Sequence, residues 1–143
     1  MAGEELKTIA RRELEEIYAK GNFDVADEII AADYVGYDPA LPEPVRGPDG
    51  LKQAATGYRT AFPDMKVTIE QQVAEGDTVV TRWTARGTHE GDLFGIAPTW
   101  KQATVAGISI ARVVGGKIVE DHTNWDTYGL MVQLGVVPTP TTV

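Results

Sequence analysis

The hydrophobic period of this chain changes once, at Pro63, and that change restricts the folds open to it. Upstream, apolar residues recur at intervals of three and four, the spacing of one helix face; downstream they alternate, the spacing of one strand face. Leu6, Ile9, Ala10, Leu14, Ile17 and Tyr18 form a stripe with Arg11, Arg12, Glu15, Glu16 and Lys20 opposite, which predicts an amphipathic helix over 4–20 ended near Gly21. Asn22 is placed to cap a second helix, buried through Phe23, Ala26, Ile29 and Ile30. Tyr34 to Asp38 then leads into a loop carrying Pro39, Pro42, Pro44 and Pro48. Pro48 suits the first turn of a third helix, whose face is Leu51, Ala54, Ala55, Tyr58 and Phe62 and which Pro63 stops.

From Met65 onward, 65–73, 78–88, 104–113 and 117–125 read as strands, with Glu75-Gly76-Asp77 and Gly115-Gly116 as hairpin turns. Three helices followed by at least four strands predict an α+β fold, a cone-like barrel in which three N-terminal helices pack on a curved, mostly antiparallel sheet. Such a cone keeps a pocket where helix no longer fills the sheet. A chain of 143 residues supports one core and not two. One domain over 1–137 is therefore expected, with 138–143, rich in Pro and Thr, as a disordered tail.

Composition narrows the chemistry. The absence of cysteine removes disulfides, thiolate catalysis and cysteine-containing metal sites. A formal charge of −8 with scattered Lys and Arg argues against nucleic-acid binding, which needs clustered cations. No apolar run approaches a membrane span and the first residues lack the apolar core of a signal peptide, so no membrane partner and a cytoplasmic location are expected. His89 and His122 stand far apart without a zinc spacing, so no metal is expected. The chain has no Gly-x-Gly-x-x-Gly, no phosphate loop and no Gly-x-Ser-x-Gly elbow, so dinucleotides, ATP and a serine triad also lose support.

The last strand, Gly116 to Asp126, crowds charge next to apolar residues. By simple alternation Ile118, Glu120, His122, Asn124 and Asp126 share one face, and Val119, Asp121, Thr123 and Trp125 the other. If Ile118 faces the core, a histidine and two carboxylates face it too. Asp121 then lies on the outer sheet surface with Arg82 and Arg86 as interface candidates. In the strand before, Val79, Thr81, Trp83 and Ala85 alternate with Arg82, Thr84 and Arg86, which puts His89 on the Trp83 face at the pocket rim, with Leu93, Phe94 and Ile96 as a hydrophobic lip. Tyr37, Phe62 and Trp83, with Tyr18, Tyr34, Tyr58 and Trp125, supply aromatic surface for a core or for a flat ligand.

Arg46-Gly47-Pro48, Ala61-Phe62-Pro63-Asp64, Gly87-Thr88-His89-Glu90-Gly91 followed by Phe94-Gly95-Ile96-Ala97-Pro98-Thr99, and Gly116-Lys117-Ile118-Val119-Glu120 through Trp125-Asp126 to Gln133-Leu134-Gly135 occur in an order and spacing that resembles the SnoaL-like polyketide and ester cyclases, of the nuclear transport factor 2-like fold. The resemblance runs over almost the whole chain. It implies a cyclase using a pocket aspartate as general acid and base without metal or organic cofactor, a small hydrophobic carbonyl substrate, and a homodimer. The position matching the family's aspartate reads as Asp126, with His122 as its polar partner and Glu120 and Asn124 beside them on the substrate side. The fold also carries dehydratases, hydrolases, isomerases and non-catalytic binders. Two positions depart from the family: Tyr37 stands where many relatives have histidine, and His122 where many have tryptophan. Three local readings compete with the catalytic ones: Asp126 as a helix cap, His122 as an exposed partner of a neighbouring carboxylate, and His89 as a turn-stabilising residue.

Overall fold

The computed structural model describes residues 2–138. Helix α1 (Gly3–Arg12) runs directly into a π-helical turn (Glu13–Tyr18), followed by α2 (Asp24–Ile29), β1 (Ile30–Tyr37), β2 (Val45–Arg46), α3 (Gly47–Ala61), β3 (Lys66–Glu75), β4 (Thr78–Thr88), β5 (Gln102–Val114), β6 (Lys117–Trp125) and α4 (Thr127–Gln133). The six strands form one sheet in the order β2-β1-β6-β5-β4-β3, antiparallel throughout except for the β1–β6 pair. The predicted α+β architecture and the four long strands are present. Apart from Pro138, the expected disordered tail lies outside the described residues.

The differences from the sequence reading are local. The first helix is not one regular helix. At Ala19 the backbone N–H donates to the carbonyl of Leu14, five residues back, which widens the turn. Asn22 gives α2 no side-chain cap, and Ile30 opens β1 rather than closing α2. Tyr34 and Tyr37 are therefore strand residues, alongside β6 in parallel register. A parallel neighbour far away in sequence leaves no local turn signal to read.

The helices bury one face against the sheet. Leu6, Ile17, Ile30, Leu51, Val79 and Ile118 anchor the larger apolar cluster, and Phe62, Leu93, Ala103, Leu130 and Leu134 a second one under α4. The β5–β6 hairpin closes through Gly115 and Gly116, at φ 60° and 81°. Two successive left-handed residues match the twist of the flanking strands and favour glycine at both positions.

Strand β6 carries the deviation that decides the site. Val113 pairs with Ile118 and Arg112 with Glu120, so Val119 is an extra residue opposite the β5 ladder. A bulge of this kind places two successive residues on one side. Ile118 is fully buried, Val119 and Glu120 are half-buried, and the next inward residue is Asp121, at 4% exposure. Thr123 and Trp125 follow it on the inner face. The expectation that Glu120, His122, Asn124 and Asp126 share the Ile118 face is thereby corrected, as is the placing of Asp121 and Trp125 outside.

Candidate active site

Between the helices and the inner face of the sheet lies a cavity of about 130 Å³. That is close to the size of an engineered apolar cavity that admits one benzene ring. Its wall is formed by Tyr18, Tyr58, Phe62, Met65, Val67, Trp83, Ala103, Val105 and Trp125, and the exposed Tyr37 and Arg86 mark its opening. Tyr37, Phe62 and Trp83, which the sequence left open between core and ligand surface, line this cavity.

Two carboxyl groups are buried at the inner end, Glu13 and Asp121. The π-helical turn presents Glu13 together with Leu14 and Tyr18 to the cavity. Arg59 from α3 holds the end of that turn, donating to the carbonyls of Tyr18 and Ala19 at 3.1 and 2.6 Å. Tyr34 donates its hydroxyl to Asp121 Oδ2 at 2.8 Å. Gly36, opposite Asp121 across the β1–β6 pair, leaves room for this bond, since a Cβ there would run into the Tyr34 hydroxyl.

Burial pushes the Glu13 carboxyl well above the usual glutamate range, and the neighbouring Asp121 charge raises it further. Burial also raises Asp121, offset in part by hydrogen bonds from Glu13 and Tyr34. Among the described residues, Glu13 Oε2 and Asp121 Oδ1 accept no hydrogen bond from any backbone or side-chain donor. One proton carried by Glu13 and turned toward Asp121 satisfies both oxygens. Burial and the two carboxyls keep the Tyr34 phenol protonated, so it remains a donor.

Both carboxyls titrate higher in the folded chain than in the unfolded one, so above the ordinary values the native state holds more protons. Their contribution to stability is complete below the ordinary carboxylate range and is lost as pH rises toward the raised values. Glu13→Gln keeps the shape and removes one of the two titrations. The expected result is a melting temperature close to that of the parent near pH 4 and several °C above it near pH 8, at roughly 2–8 °C per kcal/mol for a domain of this size. Melting curves of both proteins across that pH range check it; equal shifts at every pH would count against a protonated Glu13.

A second polar chain crosses the cavity floor. Trp83 donates its indole N–H to Ser109 Oγ at 3.1 Å, and Ser109 Oγ lies 2.9 Å from Thr123 Oγ1. Toward the opening, Asp38 receives the Tyr58 hydroxyl at 2.6 Å and the Trp125 indole N–H at 3.0 Å.

The remaining residues expected at the site lie elsewhere. Asp126 is exposed and caps α4, accepting the Gly129 N–H at 2.8 Å. His122 is exposed on the outer face, 3.5 Å from Glu120 and stacked on Tyr37 at 4.7 Å between ring centroids. Asn124 points outward with it. These four positions are corrected by the bulge at Val119, which moves the inner face one residue along. His89 is fully buried behind Phe62 rather than at the rim, and its Nδ1 accepts the Thr99 N–H at 3.2 Å. Of the expected lip, Leu93 is buried and Phe94 meets Tyr58 edge-on, but neither lines the cavity. Arg86 borders the opening rather than the outer sheet alone. Among the described residues no group of three His, Asp or Glu is placed to hold a metal ion.

Glu13 went unread in the sequence, although a signal for it exists. It sits on the stripe Leu6, Ala10, Ile17 at spacings of four, three and four, where a helix buries its side chains. Asp121 carried a weaker signal, its alternation with Trp125.

An α+β cone with an apolar interior cavity and a buried acid pair at its inner end defines a small-molecule site of the kind that supports proton-transfer chemistry. The chain belongs to the SnoaL-like polyketide cyclase family, whose model matches residues 8–134. It is 32% identical over 133 residues to the aklanonic acid methyl ester cyclase DnrD of Streptomyces peucetius, covering 90% of this chain and 91% of that protein. The nogalonic acid methyl ester cyclase of Streptomyces nogalater is 33% identical over 119 residues, with 80% and 87% covered. Among solved structures, wild-type IdmH from Streptomyces antibioticus matches at TM-score 0.79 and 32% identity, over 92% of this chain and 99% of that one. TsrD from Streptomyces laurentii matches in fold at TM-score 0.84 and 24% identity, over 96% and 99%.

Proposed function

We propose that the protein is a cofactor-independent cyclase-like enzyme acting on a small hydrophobic carbonyl compound, with the Glu13–Asp121 pair as its acid/base centre and Tyr34 orienting Asp121. The observation that carries this reading is the pair itself, two neighbouring carboxyls buried at the end of a largely aromatic and apolar cavity. A fold gains nothing in stability from two buried acids, and burial leaves a carboxyl protonated at neutral pH and able to donate to a developing oxyanion. An acidic carbon between two carbonyls loses its proton, the enolate attacks a second carbonyl of the same molecule, and the new oxygen takes a proton. Most of the remaining acceleration comes from the cavity holding a folded near-attack conformer. The size of the enclosed space favours substrates with one aromatic ring in the cavity and the rest toward Tyr37 and Arg86.

The test is incubation with aryl-substituted 1,3-dicarbonyl compounds bearing a second ketone, followed by mass and NMR analysis of products. Ring closure leaves the mass unchanged, whereas a gain or loss of water would assign the cavity to hydration or dehydration. Retention of all such compounds without conversion would favour a binding module.

The outer sheet face supports a homodimer. Ile108 and Ile110 are 45% and 43% exposed at its centre. Arg82, His122 and Asn124 lie beside them through the cross-strand pairs. Apolar side chains ringed by polar ones suit a self-complementary contact. Ile108→Glu with Ile110→Glu is expected to shift a sedimenting dimer to monomer, and a parent protein that sediments as a monomer would remove the proposal. A cytoplasmic location stays part of the same reading; among the described residues no helix is long and apolar enough to cross a membrane.

A further inference from the structure

Asp38 is a third carboxyl group in the cavity wall, and the chemistry assigned to Glu13 and Asp121 leaves it without a task. It is the residue just beyond β1, two positions after Gly36, and Gly36 pairs with Asp121. In a parallel ladder two residues advance the chain by roughly 7 Å, so Asp38 stands about that far along the cavity from Asp121. Tyr34, Gly36 and Asp38 alternate onto the same inner face and all three line the cavity. The cavity thus has an acid pair at its inner end and a separate carboxyl group near its mouth.

The hydrogen bonds around Asp38 give its two oxygens different roles. Oδ1 accepts the Ala40 backbone N–H at 2.9 Å and the Trp125 indole N–H at 3.0 Å. Oδ2 accepts only the Tyr58 hydroxyl, at 2.6 Å, among the described residues. Donors converge on both oxygens, the arrangement of a carboxylate, and Oδ2 keeps a lone pair for a substrate proton. The Tyr58 donor is fixed as a donor, since burial and the Asp38 charge push its phenol far above the usual range. Tyr58 and Trp125, in edge contact at 6.1 Å, hold the carboxylate between them at the cavity wall.

We propose that Asp38 is a second catalytic carboxylate, the base that removes the carbon-bound proton, while the Glu13–Asp121 pair supplies the proton to oxygen; this rests on the acid/base reading of that pair. Asp38 Oδ2 takes the proton from a carbon flanked by carbonyls, and the C–H electron pair becomes the enolate. The enolate carbon bonds to the second carbonyl carbon, whose π pair moves onto oxygen. That oxygen takes the proton held between Glu13 and Asp121. Asp38 then holds one proton more and the pair one fewer, and exchange with water through the mouth restores both. Substrate and product are isomers, so the cycle needs no oxidant, reductant or co-substrate. Separating base and acid by several ångströms allows both proton transfers within one substrate pose.

Benzoylacetone, a one-ring 1,3-diketone, reports the first half of the cycle without ring closure. In D2O the enzyme is expected to accelerate exchange of the C2 proton, followed by NMR. Asp38→Asn keeps acceptors for Ala40 and Trp125 and is expected to lower the exchange kcat by about 100-fold or more with KM within a few-fold. In Asp38→Ala, added formate is expected to restore exchange in proportion to formate concentration, which a purely structural Asp38 would not permit. Exchange within threefold of the parent in Asp38→Asn, or failure of formate to rescue a folded Asp38→Ala, would overturn the role of Asp38. If Asp121→Asn alone then abolished exchange, the Glu13–Asp121 reading would survive without it. An unaltered protein that neither binds benzoylacetone nor exchanges its proton would bring down both.

Discussion

Asp121→Asn is expected to leave a folded protein whose turnover falls by about 100- to 10,000-fold, the usual range for removing a positioned acid/base group. Folding survives because the amide still fits its neighbours. Its oxygen accepts the Tyr34 hydroxyl, which approaches Asp121 at 2.8 Å, and its NH2 can donate to Glu13. On the proposed mechanism chemistry fails because an amide cannot share a proton with Glu13, whose carboxyl burial and the neighbouring Asp121 push well above the usual range. Asp126→Asn is the matched control. Asn caps a helix about as well as Asp, so α4 keeps its bond to Gly129 and turnover is expected to stay within a few-fold of the parent. Steady-state rates of both variants on the first compound the parent converts, with melting curves to show that each is folded, decide between the two aspartates. A collapse of rate in Asp126→Asn with Asp121→Asn unaffected would return the role to the helix cap.

Gly107→Val is expected to be the most destabilising single substitution on the cavity floor, by roughly 2–4 kcal/mol, or some 10 °C in melting temperature. Gly107 lies in β5, paired with Trp83 on one side and Trp125 on the other. A Cβ there would run into the Trp83 indole, which lies across the glycine to reach Ser109. A valine therefore forces the indole away, breaks the Trp83–Ser109 bond and overfills the floor. The cause can be isolated by a second substitution. Trp83→Val vacates the volume, so the double variant is expected to be more stable than the sum of the two singles allows, a coupling of 1 kcal/mol or more between residues in contact. Additive losses in that cycle would mean that Gly107 is required for some reason other than the ring.

Much of this architecture was legible before any coordinates. The change of period at Pro63 separates helices from strands. The turns at Gly76 and Gly115-Gly116 fall where the chain reverses, and Pro48 lies at the start of α3. The aromatic wall was also readable in part, because Phe62 and Trp83 are large residues on correctly phased elements. The acid pair was not. Alternation counted from Ile118 fails at Val119, where one extra residue lets Ile118 and Asp121 both point inward across three positions. A bulge costs no special residue type here, so nothing in Val119-Glu120 announces it. Glu13 was masked differently: it lies on the helix stripe at ordinary spacing, but a charged residue there reads as the solvent face until the π-helical turn is seen to present it with Leu14 and Tyr18 to the cavity.

The sequence by itself determined the class of elements, their order, and the family to which the chain belongs. All three depend on local period, turn residues and motif spacing, which are properties of neighbours along the chain. Only the tertiary structure decided which carboxyls share the cavity. Glu13, Asp38 and Asp121 come from a helix, a loop and a strand more than a hundred residues apart at the extremes, and line one cavity because β1 lies parallel to β6 and the π turn faces the same space. Burial, proton sharing and hydrogen-bond direction are properties of that meeting, and no spacing along the chain encodes them.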